Sequence, residues 1–406
     1  MSPQEVDPFF IQQLKIVLEH WQEEATLQDK EVLSRLDNSR QNLFHIVNLG
    51  LEHSYTQTAA ARLSLAVFLL VERRGYWVEW IPVLEQAIDL NGEQPSSLMF
   101  DLYNRLGQLY RWDRRIKDAI KAHQSAEGVA QQLSDDFFLA NAWANLSEDY
   151  NQIRRFDESE KFGLLALEKF EELAVDKKWS ATVYNSLGMN AMNRGQLETA
   201  EARLSQAVVL FRQLDDSVRL ARVIYNLANL LRATKRFEEA LILYEEAADI
   251  LGDETRTHDL VAVHIALGGV NYDLGRLSAA ESAFRKALSP DSSNLGYTYY
   301  QAFALQGLGN VLLKMERYEE AEPLLENAIT YWQKLDAELY LVNSLGTLAE
   351  TAVAKHDLPR AVGLYERAIF ILKENHQNDP YGQRLLTELT GQLQALLNSP
   401  PEGGGT

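Results

Sequence analysis

Arg222, Asn226, Asn229 and Arg232 stand at i, i+4, i+7 and i+10, so on a helix they form one stripe. Each guanidinium in such a stripe can grip a carboxylate through two parallel hydrogen bonds. The asparagine amides between them offer both donor and acceptor, the complement of an extended peptide backbone. Tyr225 in the same segment could add a side-chain pocket. The set suits a protein or peptide partner that presents a carboxylate, either an Asp or Glu side chain or a free C-terminus. The alternative is that both arginines pair with acidic residues of adjacent helices and only stabilise the stack, each exposed pair contributing about 0–1 kcal/mol.

Catalytic patterns are missing from the sequence. The eight histidines are scattered. His45 and His53, like His258 and His264, are not spaced to place two metal ligands on one helical turn, and no H-E-x-x-H occurs. No G-x-x-x-x-G-K-[ST] phosphate cradle exists, and Gly307-Leu-Gly309 lacks a third glycine and a preceding strand. Acidic pairs such as Glu171–Glu172 and Glu245–Glu246 fit solvated outer faces. The chain therefore reads as non-enzymatic, with no cofactor and no metal site.

The stripe belongs to Arg219–Ala248, which reads as two amphipathic helices joined by a turn near Thr234–Arg236. Ala228, Ala240 and Ala247 lie at offsets 0, 12 and 19, where small residues let antiparallel helices approach closely. The same offsets recur at Gly107, Ala119, Ala126; Ser147, Ser159, Ala166; Gly188, Ala200, Ala207; Gly268, Ala280, Ala287; Gly309, Ala321, Ala328; and Ala349, Ala361, Ala368. Successive first landmarks are 40 or 41 residues apart, room for two helices of four to five turns. Neither helix of such a pair hides its apolar stripe alone, so the pairs must stack.

An array needs ends. Residues 1–97 read as an N-terminal helical cap with a degenerate repeat, in which Phe68, Trp80 and Ala87 take the three landmark places. The sequence predicts helices over Pro8–Glu24, from an Asp29 cap to His53, over Thr58–Arg74 with Gly75 as C-cap, and over Val78–Leu90. Pro82 and Pro323 are expected near the starts of second helices, where a missing N–H is tolerated. Residues 98–379 form seven helix pairs, 380–397 a C-terminal capping helix, and 398–406 a disordered tail. Leu288–Gly296, with Pro290 and a run of turn formers, is expected to be the weakest seam.

Composition agrees with a folded array. Of 406 residues, 46% are hydrophobic and 24% charged, and only 10 are proline. There is no cysteine, which excludes disulfides and thiolate metal sites and fits a reducing cytoplasmic setting. A net charge of −19 would repel nucleic acid and anionic membrane surfaces. The first 25 residues lack the basic start and cleavage site of a secretory signal. Leu63–Val71, the most apolar run, is too short to span a bilayer.

The 0, 12, 19 landmarks resemble the tetratricopeptide repeat, with a long-helix period of 40–41 instead of 34. The resemblance covers Leu98 to about Lys373. It implies an all-α, right-handed superhelical solenoid whose first helices line a concave face that binds a protein or peptide segment. The offsets −6, −3, −2, +1, +4 and +5 from each first landmark would face that groove. They hold Asn104, Asn145, Asn185 and Asn226 in four successive copies, and Asn310 later. These asparagines either form a ligand-facing ladder or bond neighbouring helices and water. Trp112, Tyr225, Tyr272 and Phe303 either line pockets between them or pack in the core.

A second resemblance covers Leu33–His53 and Leu63–Ile88. The pattern Leu33-x-x-Leu36-x-x-x-Arg40-x-Asn42-Leu43, followed by Arg74-Gly75-x-Trp77-x-Glu79-Trp80, looks like the start of the repeat sensor region of bacterial STAND-class signalling ATPases, here without the ATPase half. Together the resemblances imply an interaction scaffold or sensor. The alternative is a regulatory subunit of a bacterial signalling or stress-response assembly that holds a separate effector enzyme or transcription factor.

Overall fold

The computed structural model describes residues 7–27, 30–92, 94–214, 216–252, 258–288, 298–377 and 379–398. Among these residues the chain forms twenty-one α-helices and no strand. The N-terminal helices are α1 (Pro8–Thr26), α2 (Lys30–Asn38), α3 (Arg40–Glu52), α4 (Gln57–Ala66), α5 (Phe68–Arg74) and α6 (Trp77–Asn91). The helices of the landmark copies follow: α7 (Ser97–Trp112), α8 (Ile116–Leu133), α9 (Asp136–Gln152), α10 (Phe156–Glu172), α11 (Lys177–Asn193), α12 (Leu197–Arg212), α13 (Ser217–Ala233) and α14 (Phe237–Leu251). The later copies supply α15 (His258–Asp273), α16 (Leu277–Ala287), α17 (Thr298–Lys314), α18 (Tyr318–Lys334), α19 (Glu338–Ala354) and α20 (Leu358–Asn375), and α21 (Pro380–Asn398) ends the array. Two compact units result: Met1–Thr234 with Asp249–His258, and Lys235–Ala248 with Asp259–Thr406. Within the units, sequential helices pack as neighbours, α7 on α8, α9 on α10, α11 on α12, α17 on α18 and α19 on α20.

The landmark residues are where the helices meet. Ala119, Ala126, Ala166, Ala200, Ala207, Ala240, Ala280 and Ala321 are fully buried. Ser147 donates its hydroxyl to the Ser159 carbonyl at 2.7 Å, which satisfies the one polar landmark pair. A residue sixteen positions on covers each small first landmark. A Cβ built on Gly188 would stand 2.7 Å from Leu204, one on Gly268 2.7 Å from Phe284, and one on Gly309 2.6 Å from Leu325. In the first copy this lid is His123, 2.4 Å from a Cβ on Gly107. In the second copy the order of size is reversed, with Ser147 facing Gly163.

The turn inside each pair is also repeated. Seven positions beyond the first landmark the backbone is left-handed every time, at Gly75, Arg114, Arg154, Gly195, Lys235, Gly275, Glu316 and His356. The next residue's N–H then reaches back to a carbonyl of the previous helix, as in Arg115 to Tyr110 (2.8 Å), Arg155 to Tyr150 (2.9 Å), Gln196 to Ala191 (2.9 Å) and Asp357 to Ala352 (2.9 Å). This 6→1 bond is the Schellman closure, and it needs a positive φ that five of the eight positions adopt without glycine.

The N-terminal helices differ from the sequence expectation in two places. The helix expected to run to His53 breaks at Ser39 (φ −96°, ψ 7°), while the Asp37 carboxylate just before the break is held by Tyr76 and Arg74. The Asp29 cap lies outside the described residues. The helix expected over Thr58–Arg74 breaks at Val67 (φ −80°, ψ 2°) and resumes as α5, ending at Gly75 as expected. Pro82 and Pro323 stand at the sixth residues of α6 and α18, past the first turn. The carbonyls they free belong to Val78 and Glu319, both exposed, so water can satisfy them. The expected seam falls almost wholly on residues 289–296, and the tail on 399–406; both lie outside the described residues.

In the first unit a core of Leu18, Leu43, Leu51, Leu63, Leu70, Trp80 and Leu84 joins the N-terminal helices to Leu102 and Leu109 of α7. In the second, Trp332 is fully buried beside Tyr299, Phe303 and Tyr340, and donates its indole N–H to Gln306 at 3.0 Å. Leu385 and Leu389 of α21 extend that core, which also contains Leu345, Ala349 and Tyr365.

Candidate functional site

The first unit curves back on itself. Arg222 of α13 meets Glu72 of α5 at 2.8 Å, although α7, α9 and α11 intervene in the stack. Arg105 of α7 likewise feels the charges of Glu72 and Arg219. The residues between these points therefore look inward. They include Asn185, Asn226 and Asn229 together with Arg222 and Arg232.

The asparagines fall into two pairs with different surroundings. Asn145 Nδ2 donates to Asn104 Oδ1 at 2.9 Å, and Asn226 Nδ2 to Asn185 Oδ1 at 2.8 Å. Asn104 and Asn145 are buried. The Asn145 carbonyl also accepts from Arg111 Nη2 at 2.8 Å, and its amide reaches Asn141 at 3.2 Å. Arg111 in turn donates through Nε to Asp149 Oδ1 at 2.6 Å and through Nη1 to Glu148. Asp149 Oδ2 lies 2.5 Å from His123 Nδ1, and His123 Nε2 lies 3.2 Å from the Asn104 carbonyl. These amides are thus engaged inside the protein, in a buried network joining α7, α8 and α9. Arg111 stands at the +4 offset, one of those expected to face the groove, whereas His123 and Asp149 stand at none of them. The available signal was a histidine sixteen positions on from the first landmark, where the other copies carry Leu, Phe or Tyr and the second carries Gly163.

Burial alone would push the Asp149 carboxyl up, but Arg111 and His123 outweigh it and hold it below the usual carboxylate range. Burial also works against the Arg111 charge, and Asp149 and Glu148 more than restore it. The network is compensated within itself.

Asn185 and Asn226 are half-buried, and among the described residues each makes only the bond to the other. That leaves the Asn185 amide N–H groups and the Asn226 carbonyl side by side and open. Tyr225, Asn229 and Arg232 are half-buried on the same helix, α13. Arg222 already holds a carboxylate of its own chain, Glu72, which no short-range sequence pattern could have indicated. Asn310 belongs to the second unit, where its side-chain carbonyl is buried without a hydrogen bond among the described residues. Of the aromatic candidates, Trp112 packs beside Phe68, Trp77 and His258, and the Lys314 ammonium sits 4.3 Å from the Tyr272 ring centre. Among the described residues no group of three or more His, Cys, Asp or Glu side chains could hold a metal, and no helix is long and apolar enough to cross a membrane.

Stacked helix pairs with small landmarks define an all-helical repeat array. A family model described as tetratricopeptide repeat matches residues 179–253 and 300–374, so the chain carries such repeats. No curated protein matches it. Among solved structures, a Rap protein complexed with competence and sporulation factor is 14% identical, covers 95% of this chain and 99% of its own, and superposes with a TM-score of 0.57. The apo form of the quorum sensor NprR from B. thuringiensis is 15% identical, covering 89% of this chain and 99% of its own at a TM-score of 0.57. Aspartyl phosphate phosphatase F from Bacillus subtilis is 13% identical, covering 94% and 97% at 0.52. At these identities the likeness establishes the fold: an all-helical, tetratricopeptide-like solenoid.

Proposed function

We propose that the chain is a non-catalytic interaction module that captures a protein or peptide segment on the inward face of its first unit, at Asn185, Arg222, Tyr225, Asn226, Asn229 and Arg232. The observation that carries this reading is the Asn185–Asn226 pair. One amide hydrogen and one carbonyl are used between them, and the remaining donor and acceptor stand open together on an inner face. An extended chain presents that complement at every residue. Arg222 and Arg232 flank Asn226 on α13 and supply carboxylate recognition. Glu72 already occupies Arg222, so a partner's carboxylate there competes with an intrachain one.

The test is the double change Arg222→Ala plus Arg232→Ala, measured by calorimetry with the partner co-purified from the native host. At least tenfold weaker binding is expected, about 1.4 kcal/mol. Undiminished binding would overturn the site. Glu72→Gln frees Arg222 of its competitor and is expected to tighten binding.

A second reading is favoured by the kind of protein this fold is found in. The NprR relative is described as a quorum sensor and the Rap relative is bound to a competence and sporulation factor. In this reading the chain regulates a separate effector in a bacterial signalling assembly. Release of a bound effector on adding a peptide ligand distinguishes it from a constitutive scaffold.

A further inference from the structure

The arginines of the first unit that reach a second helix mostly end on a carboxylate. Arg35 meets Glu24 at 3.0 Å, Arg74 meets Asp37 at 2.9 Å, Arg203 meets Glu160 at 3.0 Å, and Arg222 meets Glu72 at 2.8 Å. Arg62 and Arg105 depart from this habit, and they share one cleft. Arg62 and Leu65 on α4, Leu98, Asp101 and Arg105 on α7, and Gln22 on α1 line a recess of about 320 Å³. On each of α4 and α7 these residues recur at three- to four-residue spacing, so two helix faces meet across the recess.

Among the described residues Arg62 makes no hydrogen bond or ion pair, and neither does Asp101. Arg105 donates to Gln108 at 3.0 Å and lies 4.5 Å over the Phe68 ring, but no carboxylate is within ion-pair reach. Burial pulls the Arg105 guanidinium below its ordinary value despite the fields of Glu72 and Asp101, and burial pushes the Asp101 carboxyl up. Both are marks of charges that lost water without gaining a partner. The recess thus presents two cations and one anion, each incompletely compensated, within a chain of net charge −19.

We propose that this recess binds a free acidic α-amino acid, its two carboxylates held by Arg62 and Arg105 and its ammonium by Asp101. The charge count is complementary, two negative and one positive against two positive and one negative. The volume stands at the small end of the about 300–1,000 Å³ found for ligand pockets, which suits a metabolite and not a folded segment. Leu65 and Leu98 offer an apolar wall to the methylene stem. Its side chains differ from those proposed for segment capture, although Glu72, the partner of Arg222, also acts on Arg105.

The test is a calorimetric titration of the full chain with L-glutamate and L-aspartate, with glutarate and L-leucine alongside. Saturable one-site binding of an acidic amino acid is expected. Glutarate, without the ammonium, and leucine, without the second carboxylate, should bind at least tenfold more weakly. Arg62→Gln at the exposed rim and Asp101→Asn should each weaken binding at least tenfold with the melting curve preserved, whereas Arg367→Gln in the second unit should change nothing. No saturable heat at millimolar ligand with the unaltered chain would overturn the proposal. Equal binding of glutarate would overturn the role of Asp101, and unchanged binding by Arg62→Gln would overturn the location.

Discussion

Asp149 has no exposed surface and faces the Arg111 guanidinium and the His123 ring. Its position is stable only as a set. Replacing Asp149 with Asn takes from the buried Arg111 guanidinium the buried one of its two carboxylates, and breaking a buried pair costs about 3–5 kcal/mol. A urea unfolding curve checks this. The pH dependence has a definite sign. The folded-state value is depressed, so the stabilisation is present above the ordinary carboxylate value of about 4 and disappears as pH falls through the lower folded value. Melting temperature should therefore fall below about pH 4, and the Asp149→Asn variant should show a flatter decline there. Spacing marks His123 as the odd residue of its position but gives no sign of Asp149 as its partner. His123 itself shows its role only once the helices are paired and it is seen to cover Gly107. Arg222 reads as an open grip for the same reason, because its partner Glu72 comes from a distant helix.

The helix pair is the scale at which the sequence was most readable. A helix crossing that admits only Gly, Ala or Ser leaves a mark at a fixed offset, and Ala119, Ala200, Ala280 and Ala321 show it directly. Ala240→Leu should overpack that crossing and cost about 1–3 kcal/mol, while Glu245→Leu on the exposed face of the same helix should change little. Equal losses in a urea melt would contradict the register. The turn was less readable because its constraint falls on the backbone. Arg114, Arg154, Lys235, Glu316 and His356 all adopt the conformation that Gly195 and Gly275 adopt, so residue type does not announce it. A Cβ on Gly195 would meet nothing within 4 Å, and its φ is +76°. Gly195→Ala should therefore lose about 1–2 kcal/mol through backbone strain alone. Arg154→Gly, the reverse change one copy earlier, should be neutral or slightly stabilising in the same unfolding assay. The breaks at Ser39 and Val67 escaped the periodicity because apolar spacing continues across them.

Across the whole chain, near-identical interfaces carry a hazard that a single globular core does not. A helix pair whose landmarks are Gly, Ala and Ala can dock against any neighbour of the same grammar, so a folding chain can join copies out of order. The Arg111–His123–Asp149 cluster occurs at one junction, between the first and second full copies. A mispaired first copy would bury an arginine and a histidine with no aspartate to meet them. The cluster then works as an address label, marking which neighbour is correct at some cost in stability. The change Arg111→Leu, His123→Leu and Asp149→Leu together should leave equilibrium stability nearly unchanged or raised. Refolding from urea should nonetheless give less monomer and more misassembled or swapped species by size-exclusion chromatography. If monomer recovery is undiminished, the order of copies is encoded elsewhere. In an array of interchangeable bricks, the least economical contact is the one that gives the stack a beginning.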